Sequence, residues 1–229
     1  MQIQGSTALV TGANRGLGAA FVEELLARGA VKVYAAARTP EPSDDPRVAP
    51  LALDVTDAAQ VEAAAARAGD VTLVINNAGS HSGARIADGD FAAIQADLDT
   101  NFFGPIAVTR AFAPILAAHG GGAVVTVHSV LSWISAGDGY SASKAAAWSA
   151  TNALRSALAP AGTTVTGVHV GYIDTDMAAS IDAPKIAPRE VAAQALDGVE
   201  AGADEVLADE VTRGVKAGLA GDPMAFPVG

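Results

Sequence analysis

The chain has 229 residues, half of them hydrophobic, no cysteine and a formal net charge of −11. That length suits a single domain, residues 1–229, with a sizeable core, and the acidic balance argues against nucleic acid or an anionic membrane as partner. Disulfides and thiolate metal ligands are excluded, and the start Met1-Gln2-Ile3-Gln4-Gly5 has neither a basic nor a long apolar stretch, so a soluble cytoplasmic protein without a membrane span is expected.

The first predicted strand, 6–11, runs into Thr11-Gly12-Ala13-Asn14-Arg15-Gly16-Leu17-Gly18, and a helical pattern over 19–28 follows. Glycines between strand and helix allow a tight turn and close backbone approach, which makes Gly12, Asn14, Arg15, Gly16, Leu17 and Gly18 a candidate pyrophosphate site. The second strand, 31–36, leads to Ala37 and Arg38, with alanine where a carboxylate would accept the ribose hydroxyls of NAD. A guanidinium at Arg38, helped by Arg15, suits an adenosine 2′-phosphate and favours NADP(H). The proline-rich stretch 39–50 is a surface connection, and a third strand, 51–55, brings Asp54 and Val55 toward the adenine.

Strands are predicted at 71–76, 123–129, 163–170 and 205–208, with helical patterns at 58–68, 102–118, 141–159 and 190–200 between them. Such alternation favours a doubly wound parallel sheet of about seven strands, helices on both faces, with ligands at the carboxyl ends of the strands. In Tyr140-Ser141-Ala142-Ser143-Lys144, a phenol and an ammonium lie one helical turn apart and share a face. A nearby cation favours phenolate, so Lys144 is expected to lower the pKa of Tyr140 and ready it for proton exchange with an alcohol or carbonyl.

Taken together, the glycine turn at Thr11–Gly18, Asn76-Asn77-Ala78-Gly79 after the fourth strand, Asn101, and the set Ser129, Tyr140 and Lys144 resemble the short-chain dehydrogenase/reductase family, in that family's order along the chain. The resemblance implies a single-domain Rossmann fold and hydride transfer between a nicotinamide and a ketone, aldehyde or secondary alcohol. Tyr140 is then the general acid/base, Ser129 holds the substrate oxygen, Lys144 binds nicotinamide ribose, and Asn101 links Lys144 to solvent through water and backbone. Asn77, Ala78 and Gly79 would wall the adenosine half, with the asparagines also able to tie strands together. Gly171, Ile173 and Thr175 are carried over as cofactor contacts, although Val170 stands where the family often has proline. No metal is implied, and the histidines at 81, 119, 128 and 169 look scattered and structural.

The chain also departs from the pattern. Tyr140 follows Ser129 by 11 positions, shorter than the family's habit, which makes Ser132 a rival for the oxyanion role; His128 replaces a small hydroxyl residue. The loop after Thr175 is brief, and an apolar pocket is expected from Trp133, Ile134, Tyr172, Met177 and Ile181. Small residues on the Tyr140 helix suggest a homodimer or homotetramer, while the tail around Pro223–Pro227 leaves the family's usual assembly open. The leading reading is an NADP(H)-dependent carbonyl reductase acting on a small, apolar carbonyl or alcohol. The alternatives are a 3-oxoacyl-carrier-protein reductase-like enzyme and a catalytically silent NADP(H)-binding regulator or scaffold.

Overall fold

A computed structural model describes residues 1–221. Seven strands form one parallel sheet in the order β3-β2-β1-β4-β5-β6-β7: β1 Thr7–Thr11, β2 Lys32–Ala37, β3 Val48–Ala52, β4 Leu73–Asn76, β5 Gly122–Val127, β6 Thr163–His169 and β7 Glu205–Leu207. Strand order reverses between β1 and β4, so the crevice at their carboxyl ends is the switch point at which open α/β sheets take ligands.

Side chains alternate across this sheet, as a period of two requires. Ala8, Val10, Leu73, Ile75 and Val125 face helices α1 (Gly16–Ala27) and α6 (Pro188–Ala201). Leu9, Val74 and Val124 face α2 (Ala58–Arg67) and α4 (Gly104–Ala118). Both faces are therefore buried, and the strands read as nearly unbroken apolar runs.

Two elements differ from the sequence reading. The third strand lies earlier than expected because β3 is an edge strand, where Pro50 costs no central ladder bond, so Asp54 and Val55 fall just beyond it. A further helix, α3 (Phe91–Leu98), precedes α4 and is joined to it by the π-helical turn Asp99–Phe103, which contains Asn101. The run Phe91–Ala118 reaches the length and hydropathy of a bilayer-spanning helix, which the sequence reading did not anticipate. Here it packs against the sheet and against α5 (Gly139–Leu158), with Val108, Phe112 and Leu116 fully buried. The last helix among the described residues is α7 (Glu210–Gly218), and the expected tail around Pro223–Pro227 lies outside them.

Helix starts show how the site is built. Aspartates cap α2 (Asp57), α3 (Asp90), α5 (Asp138) and α7 (Asp209) by accepting first-turn N–H bonds. Helix α1 has no such side-chain cap: its N-cap is Arg15 in the glycine turn, and it leaves its first N–H groups for another acceptor. Gly18 lets that turn close, since a Cβ there would stand 2.0 Å from the Gly12 carbonyl oxygen. Gly18→Ala is expected to lower unfolding free energy by about 1–3 kcal/mol, measured by urea denaturation.

Candidate active site

At the end of β1, the Thr11 hydroxyl accepts the N–H groups of Asn77 and Ala78, each at 3.0 Å, and Asn77 Nδ2 donates to Thr11 O at 2.9 Å. These bonds fasten the residues after β4 to the glycine turn. Asn76 joins β4 to α4 through the Thr109 hydroxyl. Both asparagines thus tie elements together, and Gly12 needs its small size and its φ of 68° because a Cβ would meet Ala78 Cα at 3.0 Å.

The turn, the uncapped α1 terminus and the bare backbone at Gly12 fit a pyrophosphate. Asn14 fixes the turn to the loop after β2 by donating to Thr39 O. Arg38 is exposed at the crevice end of β2, and its side chain makes no hydrogen bond or ion pair among the described residues. Arg15, by contrast, pairs with Asp176 at 2.9 Å, so its guanidinium is shared with the loop after Thr175. Thr175 packs at Gly16, with Cγ2 3.1 Å from the position a Cβ would take there. Ile173 bridges to Ile186, and Gly171 gives its N–H to Asp209 Oδ2, which removes that donor from the crevice. Asp54 turns its carboxylate back onto Thr56, and Leu17 is buried.

The second half of the site gathers at the end of β5. Helix α5 carries Tyr140 and Lys144 on one face, as their spacing requires. Lys144 is only 5% exposed, and Nζ donates to Val127 O at 2.9 Å. Burial without a carboxylate partner brings its pKa down to about 8. Asn101, buried in the π-helical turn, pairs with Ser80 N–H and C=O and donates to the Ser143 hydroxyl. The backbone at Gly79 separates it from Lys144: a Cβ there would stand 3.2 Å from Asn101 Oδ1 and 4.0 Å from Lys144 Nζ.

Tyr140 overturns one expectation. Its pKa is pushed up to about 12, first by burial and then by the charges of Asp138 and Asp97, against a lowering by the Ser129 hydroxyl. The ring is partly exposed, so solvent tempers this shift. Lys144 does not bring the phenol down because its ammonium faces Val127 O and lies 5.6 Å from the ring centroid. The short spacing is absorbed by a single 3₁₀ turn, Val130–Ser132, for which Ser129 is the N-cap. Ser132 turns its hydroxyl to the Ser129 N–H, and the hydroxyl beside Tyr140 is that of Ser129.

Of the expected pocket residues, Trp133 and Ile134 line a cavity of about 180 Å³ together with Ile86 and Leu131, whereas Tyr172, Met177 and Ile181 do not. Three histidines proved more organised than their sequence positions suggested. His81 packs on Tyr140 with ring centroids 4.7 Å apart. His128 and His169, both fully interior, face each other at 4.9 Å beneath Ser129, with Trp133 stacked on His169 at 4.1 Å. Glu205 Oε1 stands 3.5 Å from His169 Nε2, too long for a good hydrogen bond, and all four ring nitrogens lack partners among the described residues. The alternation of β5 and β6 placed these side chains in the interior, but sequence gave no sign that they would meet.

A parallel sheet with a glycine cradle at its switch point, and a Ser, Tyr and Lys set beside it, defines the doubly wound dinucleotide-binding class. The family model described as short chain dehydrogenase matches residues 6–185. A crystal structure of a short chain dehydrogenase from Burkholderia cenocepacia in complex with NADP superposes with a TM-score of 0.93 at 43% identity, covering 98% of this chain and 97% of that one. NADPH-bound carbonyl reductase from chicken fatty liver aligns at 26% identity with a TM-score of 0.81, over 88% and 93% of the two chains. An uncharacterized oxidoreductase of Staphylococcus saprophyticus is 29% identical over 86% of this chain and 92% of its own. The chain belongs to the short-chain dehydrogenase/reductase family and is an oxidoreductase.

The histidine pair makes a stability prediction. Burial holds His169 down at about 4, and His128 well below the ordinary value near 6.5. The unfolded chain therefore binds protons that the folded one refuses, and stability present above pH 6.5 is lost as pH falls toward 4. For His169 alone the loss is about 3 kcal/mol. Urea unfolding measured across that window is expected to show this slope, and His169→Gln is expected to reduce it, with His128 supplying what remains.

Proposed function

We propose that the protein is an NADP(H)-dependent reductase of ketones or aldehydes, reversible as a secondary-alcohol dehydrogenase, with Tyr140 as general acid/base. The observation that carries this reading is the convergence of the Ser129 hydroxyl, the Tyr140 phenol and the buried Lys144 ammonium at the end of β5. When bound, NADP(H) supplies or accepts the hydride.

The phenol is held in its acid form through the neutral range, the state a carbonyl oxygen needs from a proton donor. Ser129, with its backbone fixed by the 3₁₀ turn, gives a hydrogen bond to the oxygen as negative charge develops there. Lys144 would hold the ribose hydroxyls of the bound cofactor, and Asn101, fixed by the Ser80 backbone on the far side of Gly79, would link it to solvent through water. Arg38 supports a 2′-phosphate-bearing cofactor because its guanidinium is exposed beside the crevice and no acidic residue replaces Ala37. Gly12, Asn14, Gly16, Leu17, Gly18, Asn77, Ala78 and Thr175 frame the rest of the cofactor crevice. Trp133 and Ile134 favour an apolar substrate. The exposed small residues Ala142, Ala145 and Ala153 along α5 suit a helix-to-helix contact in a homodimer or homotetramer.

Tyr140→Phe is expected to cut kcat for ketone reduction by about 10²–10⁴-fold while NADPH fluorescence titration shows unchanged binding. A Phe variant with full activity would sink the mechanism. Arg38→Ala is expected to weaken NADPH binding about tenfold or more and leave NADH binding alone, because only the phosphate contact is lost.

A further inference from the structure

Resting on the reductase reading, we propose that His81 is a positioning residue for Tyr140, locked against the phenol by Asp138. His81 lies on the loop after β4, where an imidazole with its side chain 38% exposed has ample freedom to turn into solvent. It is held instead by two carboxylates. Asp138 Oδ2 takes His81 Nε2 at 3.2 Å, which orients the ring. Asp97, on α3 and fully buried, accepts from the Ser80 hydroxyl at 2.9 Å and from the N–H and hydroxyl of Ser82 at 3.1 and 2.6 Å, pinning the loop on both sides of His81.

Asp138 has a second task. Its Oδ1 accepts from Ser141 N and the Ser141 hydroxyl at 2.8 and 2.6 Å, capping the helix that carries Tyr140 two residues later. The loop is bound to this helix start by backbone bonds as well, Ile86 N to Gly137 O and Gly139 N to Ala84 O, both at 2.9 Å. One carboxylate therefore fixes both the helix that aims the phenol and the ring that packs on it, at 4.7 Å between centroids and 50° between planes. Lys144 also lies near the phenol, its ammonium 5.6 Å from the ring centroid and committed to Val127 O.

A proton donor must hold its oxygen within a few tenths of an ångström of the acceptor, and misplacement by about 1 Å costs on the order of a hundredfold. A partly exposed phenol with a mobile neighbour lacks that restraint; His81 supplies it.

The test combines kinetics with NMR of protein labelled with ¹³C in the tyrosine rings. The chain has three tyrosines, and loss of signals in Tyr140→Phe assigns the relevant one. His81→Ala is expected to lower kcat about tenfold or more, to leave NADPH affinity within about twofold, and to shift the Tyr140 ring signals. His81→Phe keeps an aromatic ring but loses the bond to Asp138, and is expected to restore only part of kcat and of the ring-current shift. His81→Gln keeps a partner for Asp138 without the ring and is expected to resemble His81→Ala. Wild-type kcat in His81→Ala, or Tyr140 signals that do not move, would overturn the proposal. If the unsubstituted protein reduces no carbonyl, the reductase reading fails, and the tyrosine signals alone decide whether His81 restrains the phenol.

Discussion

A lysine ammonium kept in the interior is the constraint around which the active end of the sheet is arranged. Removing such a group from water costs several kcal/mol unless other groups replace the lost solvation. Lys144 has one direct replacement, the Val127 carbonyl at the end of β5, and no carboxylate among the described residues. Its weakened hold on its proton follows from that. The neighbours are placed to suit: Gly79 carries no side chain that would intrude, Asn101 spends its amide on the Ser80 backbone, and the π-helical turn swings Asn101 inward from an otherwise regular helix.

The carboxylates are kept one layer away, and they act on structure. Asp138 caps α5, Asp97 clamps the loop after β4, and Asp209 caps α7 while holding Gly171 N–H. Each is a short side chain spent on backbone donors, a use that stabilises by about 1 kcal/mol per cap. The negative charges of Asp138 and Asp97 help keep Tyr140 protonated, so two of the residues that shape the loops also bear on the chemical state of the phenol. Below Ser129 the His128 and His169 rings, Trp133 and Glu205 join the floor of the site to α7. Lys216 lies over Trp133 at 4.7 Å and is paired with Glu205 at 2.6 Å. Helix α7 thereby braces the turn that carries Ser129.

Much of this was legible in the sequence. Seven strands were visible as apolar runs because both faces of a parallel sheet are covered, and the glycine turn was visible because only glycine fits where Gly12 meets Ala78 and Gly18 meets Gly12. Tyr140 and Lys144 could be placed on one face from their spacing alone. Helix α3 was missed although Asp90 offered a cap, because it is short and its apolar residues do not separate from the run that follows. The direction of the Tyr140 shift was misjudged for a different reason: spacing shows that an ammonium is near, but which way it points depends on the Val127 carbonyl, supplied by another strand. His81 on Tyr140 and His128 on His169 are likewise contacts between elements far apart in the chain, and no local pattern encodes them.

The account stands on the desolvated ammonium, and its titration can be observed directly. NMR of ¹³Cε-labelled lysine, with the signal of Lys144 assigned by Lys144→Met, reports the protonation midpoint of that side chain. The account predicts a midpoint of about 8, whereas one at the ordinary value of 10.5 would show a solvated lysine and contradict the arrangement described for this site.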